Sequence, residues 1–361
     1  MSRKRFNPLR HPHLAEALRW ERGGEPIGVR TIAIAVLGMA APALAGLALG
    51  KPEAGFTIGL GAMLLAGGPA PSGAASEPSP PGAAILPAML AVVVATAIAG
   101  APWTDIAMIA LAGVAAAISG WSRPLAIAAI RFIIYLVLSV SLIDGAAEHR
   151  GAVALLFGLG ALWNVAIRLL FARRRPAPPP TEPARIVTTT QRYAHWQRTM
   201  RSLAGWQFPI RLVAGLAIAS VLRHLWPAHH YGWIILTVAL LTQRPLEPVP
   251  VKTLQRAFGT ALGVALTWGI LTGLAAPAAL ALVICVLATG ASLARSRNYL
   301  TYAILATPVI LLVLDIGKPI APALLVDRLV ATLYGAAIVV AANLLLGRWV
   351  RAEPPPRATR A

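Results

Sequence analysis

Long apolar runs dominate this sequence and restrict the folds that it can adopt. Runs of about 20 residues recur along the chain, and the first reads GVRTIAIAVLGMAAPALAGLAL (28–49). A helix of that length crosses roughly 30 Å of hydrocarbon, whereas strands of a membrane barrel need only about ten residues and alternate in polarity. The chain is 57% hydrophobic and only 12% charged. We therefore predict an all-α, polytopic helical membrane protein.

The apolar runs fall into two groups of six, which predicts about twelve transmembrane helices. The second span of each group is short. The predicted spans are residues 28–49, 55–66, 83–100, 103–120, 124–143 and 151–171 in the first group, and residues 209–226, 231–242, 254–274, 278–293, 299–314 and 329–346 in the second.

Matching segments indicate that the two groups are tandem six-helix repeats. GVRTIAIAVLG (28–38) resembles PIRLVAGLAIA (209–219), which places Arg30 opposite Arg211. In the last span of each group, Asn164 matches Asn343. Similarity in a common order is typical of duplication. The predicted domains are a basic N-terminus (1–27), a first repeat (28–171), a basic Pro-rich linker (172–207), a second repeat (208–347) and a tail (348–361).

The excess of positive charge is explained by orientation in the membrane. The chain has 32 Lys and Arg against 13 Asp and Glu, and its basic clusters, such as FARRRP (171–176), lie at the ends of apolar runs. The positive-inside rule accounts for this distribution better than nucleic-acid binding does. It places the N-terminus, the linker and the C-terminus in the cytoplasm, and we expect no nucleic-acid partner.

The sequence contains no motif for nucleotide binding, metal binding or catalysis. G-x-x-x-x-G-K-[ST], H-x-x-x-H, CxxC and the EF-hand loop are all missing. No nucleophile, base and orienting group cluster in the recognisable segments. We therefore expect no cofactor, no bound metal and no enzymatic activity.

Ionisable residues inside the predicted spans are candidates for function, because such groups are costly in a membrane and usually face a cavity, a pore or a partner. Arg131 is the deepest, and Tyr135 lies one turn further on the same helical face. The alternative for Arg131 is that its long side chain extends back to the membrane surface. The same alternative applies more strongly to Arg30, Arg168 and Arg211.

Two predicted helices carry a face that combines arginine with small residues. The first face holds Arg256, Gly259, Thr260 and Gly263, and the second holds Arg328, Thr332, Gly335 and Asn343. Spacings of three and four put the members of each set on one side of a helix. Small residues at that spacing are typical of close helix packing. Packing alone does not require arginine, so a packing surface and a ligand site both stay open.

The segment NYLTYAILATP (298–308) predicts a polar helix that contains Pro308. Proline leaves a backbone carbonyl without its helical donor, and irregular backbone at membrane depth is tolerated mainly where it lines protein or water. A local hydrogen bond from Thr307 is the simpler alternative.

Together these segments resemble a known family. The order YGWIILTVALLTQRP (231–245), RAFGTALG (256–263), NYLTYAILATPVILL (298–312) and DRLVATLYGAAIVVAANLLL (327–346) resembles the fusaric acid resistance (FUSC) family of bacterial inner-membrane proteins. It is also similar to the aromatic carboxylic acid efflux pumps and, more distantly, to plant aluminium-activated malate channels. The resemblance extends over about residues 208–347 and is weaker in the first half.

The resemblance implies outward transport of organic anions, often aromatic carboxylates, across the inner membrane. Its motif positions and the polar residues above give the candidate substrate-binding residues Arg131, Tyr135, Arg256, Thr260, Asn298, Tyr299, Thr307, Pro308, Arg328 and Asn343. Expected partners are the lipid bilayer and a small organic anion, with a periplasmic membrane fusion protein and a second copy of the chain as further candidates.

Three functions compete at this stage. The leading hypothesis is a secondary transporter that exports small organic anions. A passive anion channel stays open because no carboxylate lies at mid-membrane as a proton relay. The acids at the predicted outer ends of spans are Glu53, Asp105, Asp144, Glu148, Asp315 and Asp327. The third hypothesis is a membrane scaffold or envelope-assembly protein without a substrate.

Overall fold

The protein is helical throughout the part of the chain that its computed structural model describes. The described residues are 28–66, 81–146, 149–171, 188–244, 249–274, 276–295, 297–314 and 322–352. They form thirteen α-helices and contain no strand. The predicted N-terminal domain, the first part of the predicted linker, most of the predicted tail, Glu148 and Asp315 lie outside these residues.

The helices follow one another in two groups of six with one helix between them. The first group is α1 (Val29–Ala48), α2 (Pro52–Ala66), α3 (Pro81–Ile98), α4 (Thr104–Ile118), α5 (Arg123–Gly145) and α6 (Arg150–Leu170). The intervening helix is α7 (Thr189–Met200). The second group is α8 (Leu203–Leu225), α9 (Gly232–Leu241), α10 (Val249–Gly273), α11 (Pro277–Ala294), α12 (Tyr299–Leu314) and α13 (Pro322–Ala352).

The lengths and composition of these helices confirm the polytopic membrane fold. Helices α1, α5, α6, α8 and the 322–346 part of α13 are each long and apolar enough to cross a bilayer. Six shorter apolar helices, which belong to α2, α3, α4, α9, α11 and α12, accompany them. Helix α9, the second helix of the second group, is the shortest helix of the described residues, with 10 residues.

Two helix boundaries differ from the sequence prediction for physical reasons. Helix α13 begins at Pro322, before the predicted start at residue 329. Its first turns include Asp327 and Arg328, which looked like the polar end of a span but are both buried against other helices. Helix α7 was not predicted, because its residues lie in the Pro-rich linker and are mostly polar. A capping box formed by Thr188 and Gln191 fixes its start.

The two groups of six helices pack in the same pattern. In the first group, α1 packs on α2, α2 on α6, and α3 on both α5 and α6; in the second, α8 packs on α9, α9 on α13, and α10 on both α12 and α13. Between the groups, α4 contacts α8 and α11 contacts α1. The first helix of each group therefore packs on the fourth helix of the other. This equivalence is what a tandem duplication would produce, and the duplication itself stays a prediction.

The small-residue face of α10 brings this helix into close contact with α12. A Cβ atom added at Gly263 would lie 2.7 Å from Cβ of Thr307 and 2.9 Å from the carbonyl oxygen of Ile304. One turn earlier, a Cβ at Gly259 would lie 2.5 Å from Cβ of Ala303. Such distances leave no room for a side chain, so the predicted packing role of these glycines is confirmed. The face also presents Arg256 and Thr260 to the same interface, where both are buried.

We expect Gly263→Ala to destabilise the protein, whereas Gly269→Ala on the same helix should not. A Cβ at Gly269 meets no atom within 4 Å, and alanine favours a helix over glycine by about 1 kcal/mol. At Gly263 the overpacked methyl group should cost about 1–3 kcal/mol. Thermal unfolding of both variants in the same detergent tests the difference. Equal stability of the two variants would contradict the close approach of α10 and α12.

Candidate anion-binding site

Arg328 lies near the start of α13, and its guanidinium group is fully buried among other helices. The side chain is 0% exposed, and Cζ lies 3.9 Å from the centre of the Trp233 ring on α9. This is a close cation–π contact. All three guanidinium nitrogens lack a hydrogen-bond partner among the described residues. The ring therefore stabilises the charge, while all five N–H groups keep their hydrogen-bonding capacity.

A second buried arginine lies within electrostatic range of the first. Arg256 on α10 is 1% exposed, interacts electrostatically with Arg328 and lies beside the hydroxyl group of Tyr299. Its Nε and Nη2 atoms have no hydrogen-bond partner in the described part of the chain. We call Arg256 and Arg328 the arginine pair.

Buried polar and aromatic groups surround the arginine pair on α9, α10 and α12. Thr260 lies one turn along α10 from Arg256, and its buried hydroxyl group also has no partner among the described residues. Tyr302 on α12 is buried and lies within electrostatic range of Arg328. Its ring centre is 5.8 Å from that of Tyr299. The result is a region with two like charges, a free hydroxyl group and three aromatic rings.

No salt bridge of the described residues includes either member of the arginine pair. Three of the described carboxylates, those of Asp105, Asp144 and Asp327, have other contacts. Asp105 pairs with Arg223 on α8 at 2.8 Å, and Asp144 accepts a hydrogen bond from the backbone N–H of Gly100. Burying a guanidinium group without a counter-ion is costly. Neither guanidinium group of the arginine pair has a counter-ion among the described residues.

Asp327 is next to Arg328 in sequence, but its carboxylate is bound to the loop before α9. Its Oδ1 atom lies 2.8 Å from Nδ1 of His229, and its Oδ2 atom accepts a hydrogen bond from the backbone N–H of His230 at 3.0 Å. The Nδ1 atom of His230 lies 3.2 Å from the same Oδ2 atom. These contacts hold the first turns of α13 against the start of α9, which positions Arg328 over Trp233.

Arg211 and Asn343 are bound to each other and not to the arginine pair. Arg211 on α8 is 1% exposed, and its Nη1 atom donates a short hydrogen bond to Oδ1 of Asn343 on α13. Its Nη2 atom donates to the carbonyl oxygens of Gln243 and Arg244, at 2.7 and 3.1 Å, just after the end of α9. These contacts join α8, the end of α9 and α13, so this arginine does not extend to the surface.

The matched residues in the first group are arranged differently. Asn164 accepts a hydrogen bond from Nε of Arg168 on the same helix, at 2.9 Å. Arg30, which matches Arg211 in sequence, is exposed. The polar contact that joins three helices in the second group is therefore made within one helix in the first.

Arg131 and Tyr135 lie on α5 in the first group, whereas the arginine pair lies on helices of the second group. Tyr135 is 1% exposed, and its hydroxyl group donates to the carbonyl oxygen of Gly61 at 2.7 Å, which joins α5 to α2. Arg131 is half-buried, its Nε atom has no partner among the described residues, and it lies within electrostatic range of Arg168 and Arg295. Tyr135 thus has a packing role, and Arg131 has capacity for a ligand.

The candidates on α12 shape the helix next to the arginine pair. The Oδ1 atom of Asn298 accepts from the backbone N–H of Thr301 at 2.9 Å and thereby caps the helix. The Thr307 hydroxyl group donates to the carbonyl oxygen of Ala303 at 2.8 Å. This is the local hydrogen bond that was the simpler alternative for the segment with Pro308. Pro308 is buried within the helix. The Asn298 cap thus fixes the start of the helix that carries Tyr299 and Tyr302.

Sequence reasoning missed three residues that complete this region. Trp233 was part of a motif segment, but only the fold shows that it lies against Arg328. Tyr302 and Arg295 were read as part of a polar helix and a basic cluster. Arg295 lies over the Tyr302 ring at 5.2 Å, and its Nη1 atom donates to the carbonyl oxygen of Leu64 on α2. Arg295 thus joins the second group of helices to the first.

The chemistry of this arrangement is the binding of an anion. A guanidinium group presents N–H donors in a planar fork that matches a carboxylate, and its charge does not depend on pH in the physiological range. The neighbouring aromatic rings can pack against an apolar or aromatic group. Among the described residues, no group of three or more His, Cys, Asp or Glu side chains is arranged to hold a metal ion.

Comparison with known proteins agrees with the sequence resemblance. Residues 213–342 match a family model described as fusaric acid resistance protein-like. This segment contains Trp233, both members of the arginine pair, Tyr299 and Tyr302. Neither the search of curated proteins nor the search of solved structures gave a match.

We expect Arg211→Met to destabilise the protein strongly and Arg30→Met to leave its stability nearly unchanged. Loss of Arg211 removes the donor to Asn343 and to two carbonyl oxygens after α9. Leaving such buried groups unpaired costs about 1–3 kcal/mol each. Arg30 is the matched but exposed residue of the first group. Unfolding midpoints in one detergent give the comparison, and a stable Arg211→Met variant would contradict the role of this contact.

Proposed function

We propose that the protein carries small organic anions out of the cell across the bacterial inner membrane, because residues 213–342 match a family model described as fusaric acid resistance protein-like. The family supports membrane transport as the general function. The finer proposal is a secondary exporter, with aromatic carboxylates as its preferred substrates. In this proposal both termini are cytoplasmic and no catalytic step occurs.

The observation that carries the proposal is the arginine pair. Two fully buried guanidinium groups lie within electrostatic range of each other, and no carboxylate of the described residues pairs with either. Replacing buried ions with apolar residues of similar volume is often neutral or stabilising. Such a pair is therefore a poor way to stabilise a fold. It is well suited to attract an anion and to bind it through several N–H donors.

The aromatic groups around the pair support an aromatic substrate. Trp233 contacts one face of the Arg328 guanidinium group, and the Tyr299 and Tyr302 rings lie close to each other near Arg256 and Arg328. A carboxylate on the guanidinium groups would bring an attached ring into contact with these side chains. Offset or edge-to-face contacts between aromatic rings contribute about 0.5–1.5 kcal/mol beyond the area that they bury. We therefore expect benzoate to bind more tightly than acetate.

We expect Arg328→Met to bind benzoate at least about tenfold more weakly than the parent protein while its thermal stability stays the same or rises. A hydrogen bond to a charged group contributes about 1.5–3 kcal/mol, which corresponds to roughly tenfold or more in affinity. Stability should hold because the change removes an uncompensated buried charge. Isothermal titration calorimetry and thermal unfolding of the purified protein give the two values. For Arg256→Met we likewise expect weaker benzoate binding together with unchanged or higher thermal stability.

The control for this experiment is Arg30→Met, which alters an exposed arginine outside the region and should leave benzoate binding unchanged. Unaltered binding in both Arg328→Met and Arg256→Met would contradict the proposal and would favour the scaffold hypothesis. A large loss of stability in both variants would also contradict it, because the pair would then have a structural role.

A passive anion channel is the second candidate, and the distribution of acids favours it. In the described part of the chain, no carboxylate forms a salt bridge with the arginine pair, and Asp327, which precedes Arg328, is bound to His229 and His230. An exporter that uses the proton gradient needs a group that binds and releases protons. A channel needs only an attractive site and a path, with the membrane potential as the driving force.

Flux measurements in proteoliposomes separate exporter from channel. For the exporter, we expect benzoate flux to follow a pH gradient when the potential is clamped at zero with potassium and valinomycin. Empty liposomes correct for diffusion of the neutral acid. Flux that follows the potential and does not respond to the pH gradient would contradict the exporter and support the channel. Loss of this flux in Arg328→Met connects either result to the arginine pair.

A further inference from the structure

Helix α7, which connects the two groups of helices, has an exposed basic surface that the proposed transport function does not use. Arg192 and Arg198 on the helix and Arg201 just after it are exposed. No acidic residue occurs between Glu182 and Glu247 in the sequence. No salt bridge of the described residues includes any of the three arginines. We call these three residues the α7 arginines.

Aromatic residues fix α7 against the ends of two membrane helices. Nε1 of Trp196 donates to the carbonyl oxygen of Ala117 near the end of α4, at 3.2 Å. The Trp196 ring centre lies 5.9 Å from that of Trp121, and the Tyr193 ring centre lies 5.7 Å from the same Trp121 ring. Trp206 on α8 donates to the carbonyl oxygen of Met200 at 2.7 Å. Helix α7 is therefore fixed where membrane helices end.

This end of the bundle has the composition of a membrane interface. Tyr193 is 47% exposed and Trp206 is 44% exposed, and tryptophan and tyrosine concentrate at the level of lipid headgroups. On α7, Tyr193, Trp196 and Met200 share one face, because their spacing is three and four. Arg192, four residues before Trp196, lies at the edge of this face, and Arg198 lies on the opposite side. A short helix that combines aromatic and basic residues in this way is typical of helices that lie in the interface.

From these observations we propose that α7 is a binding surface for anionic phospholipid headgroups. The α7 arginines contact the phosphate groups, and Tyr193 and Trp206 lie among the headgroups. Because α7 is bonded to α4 and continues into α8, the bound lipids stabilise the junction between the two groups of helices. The proposal does not depend on the proposed transport function.

The arrangement favours lipid over nucleic acid as the polyanion. A nucleic acid would need an extended basic surface that projects into water. The α7 arginines lie next to apolar helices and exposed aromatic rings, where a bilayer surface must come close. Each basic residue near an anionic surface adds about 1 kcal/mol, which corresponds to roughly fivefold in affinity.

The experiment measures stabilisation of the purified full chain by added phosphatidylglycerol, with phosphatidylcholine as the neutral reference. Cys285 is the single cysteine of the sequence and lies half-buried in α11, so a thiol-reactive fluorophore reports unfolding. We expect phosphatidylglycerol to raise the unfolding midpoint of the parent protein more than phosphatidylcholine does. R192Q, R198Q and R201Q should each lower the apparent phosphatidylglycerol affinity by roughly fivefold, whereas the matched lysine variants should keep it.

Two results would overturn the proposal. One is full retention of the phosphatidylglycerol effect in the triple glutamine variant. The other is a stabilisation by duplex DNA, in neutral detergent, as large as that by phosphatidylglycerol. If the triple variant fails to fold, the three single variants still decide the question, because unchanged phosphatidylglycerol affinity in all three would contradict the proposal. Counting bound lipids by native mass spectrometry gives an independent readout.

Discussion

The free energy of placing a guanidinium group among apolar helices governs how this structure is arranged. Each buried arginine needs compensation, and the protein supplies it in different ways. Arg211 donates to an amide and to backbone carbonyls, so its N–H groups serve the fold. Among the described residues, Arg328 has only the face of a tryptophan. Arg211 therefore uses its N–H groups to join helices, whereas Arg328 keeps N–H donors that the proposed anion would bind.

The fold could be predicted largely from the apolar runs, because a backbone in hydrocarbon must satisfy its own hydrogen bonds and helices do so locally. The boundaries were harder to predict where polar residues continue into a helix. Asp327 and Arg328 looked like the end of a span because their partners, His229, His230 and Trp233, lie about a hundred residues away in sequence. Helix α7 was missed because its polar sequence gives no membrane signal.

The candidate site was only partly predictable for a related reason. Arg256 and Arg328 were selected because they share faces with small residues, and the fold brings them together across α10 and α13. Asn343 was selected on the same evidence, yet the fold places it against Arg211. The spacing along a helix shows which residues share a face, but it does not show which side chains of other helices they contact. Those contacts decide the role of each residue.

The shortness of α9 has a consequence for electrostatics. Its 10 residues span about 15 Å, half of a typical hydrocarbon thickness of roughly 30 Å. A helix of that length with one end at the membrane surface leaves the polar chain at its other end within the depth of the bilayer. Where polar protein replaces hydrocarbon, the insulating layer is thinner, and the membrane voltage falls over a shorter distance. The local field is correspondingly stronger, so a charge there does more electrical work for each ångström that it moves.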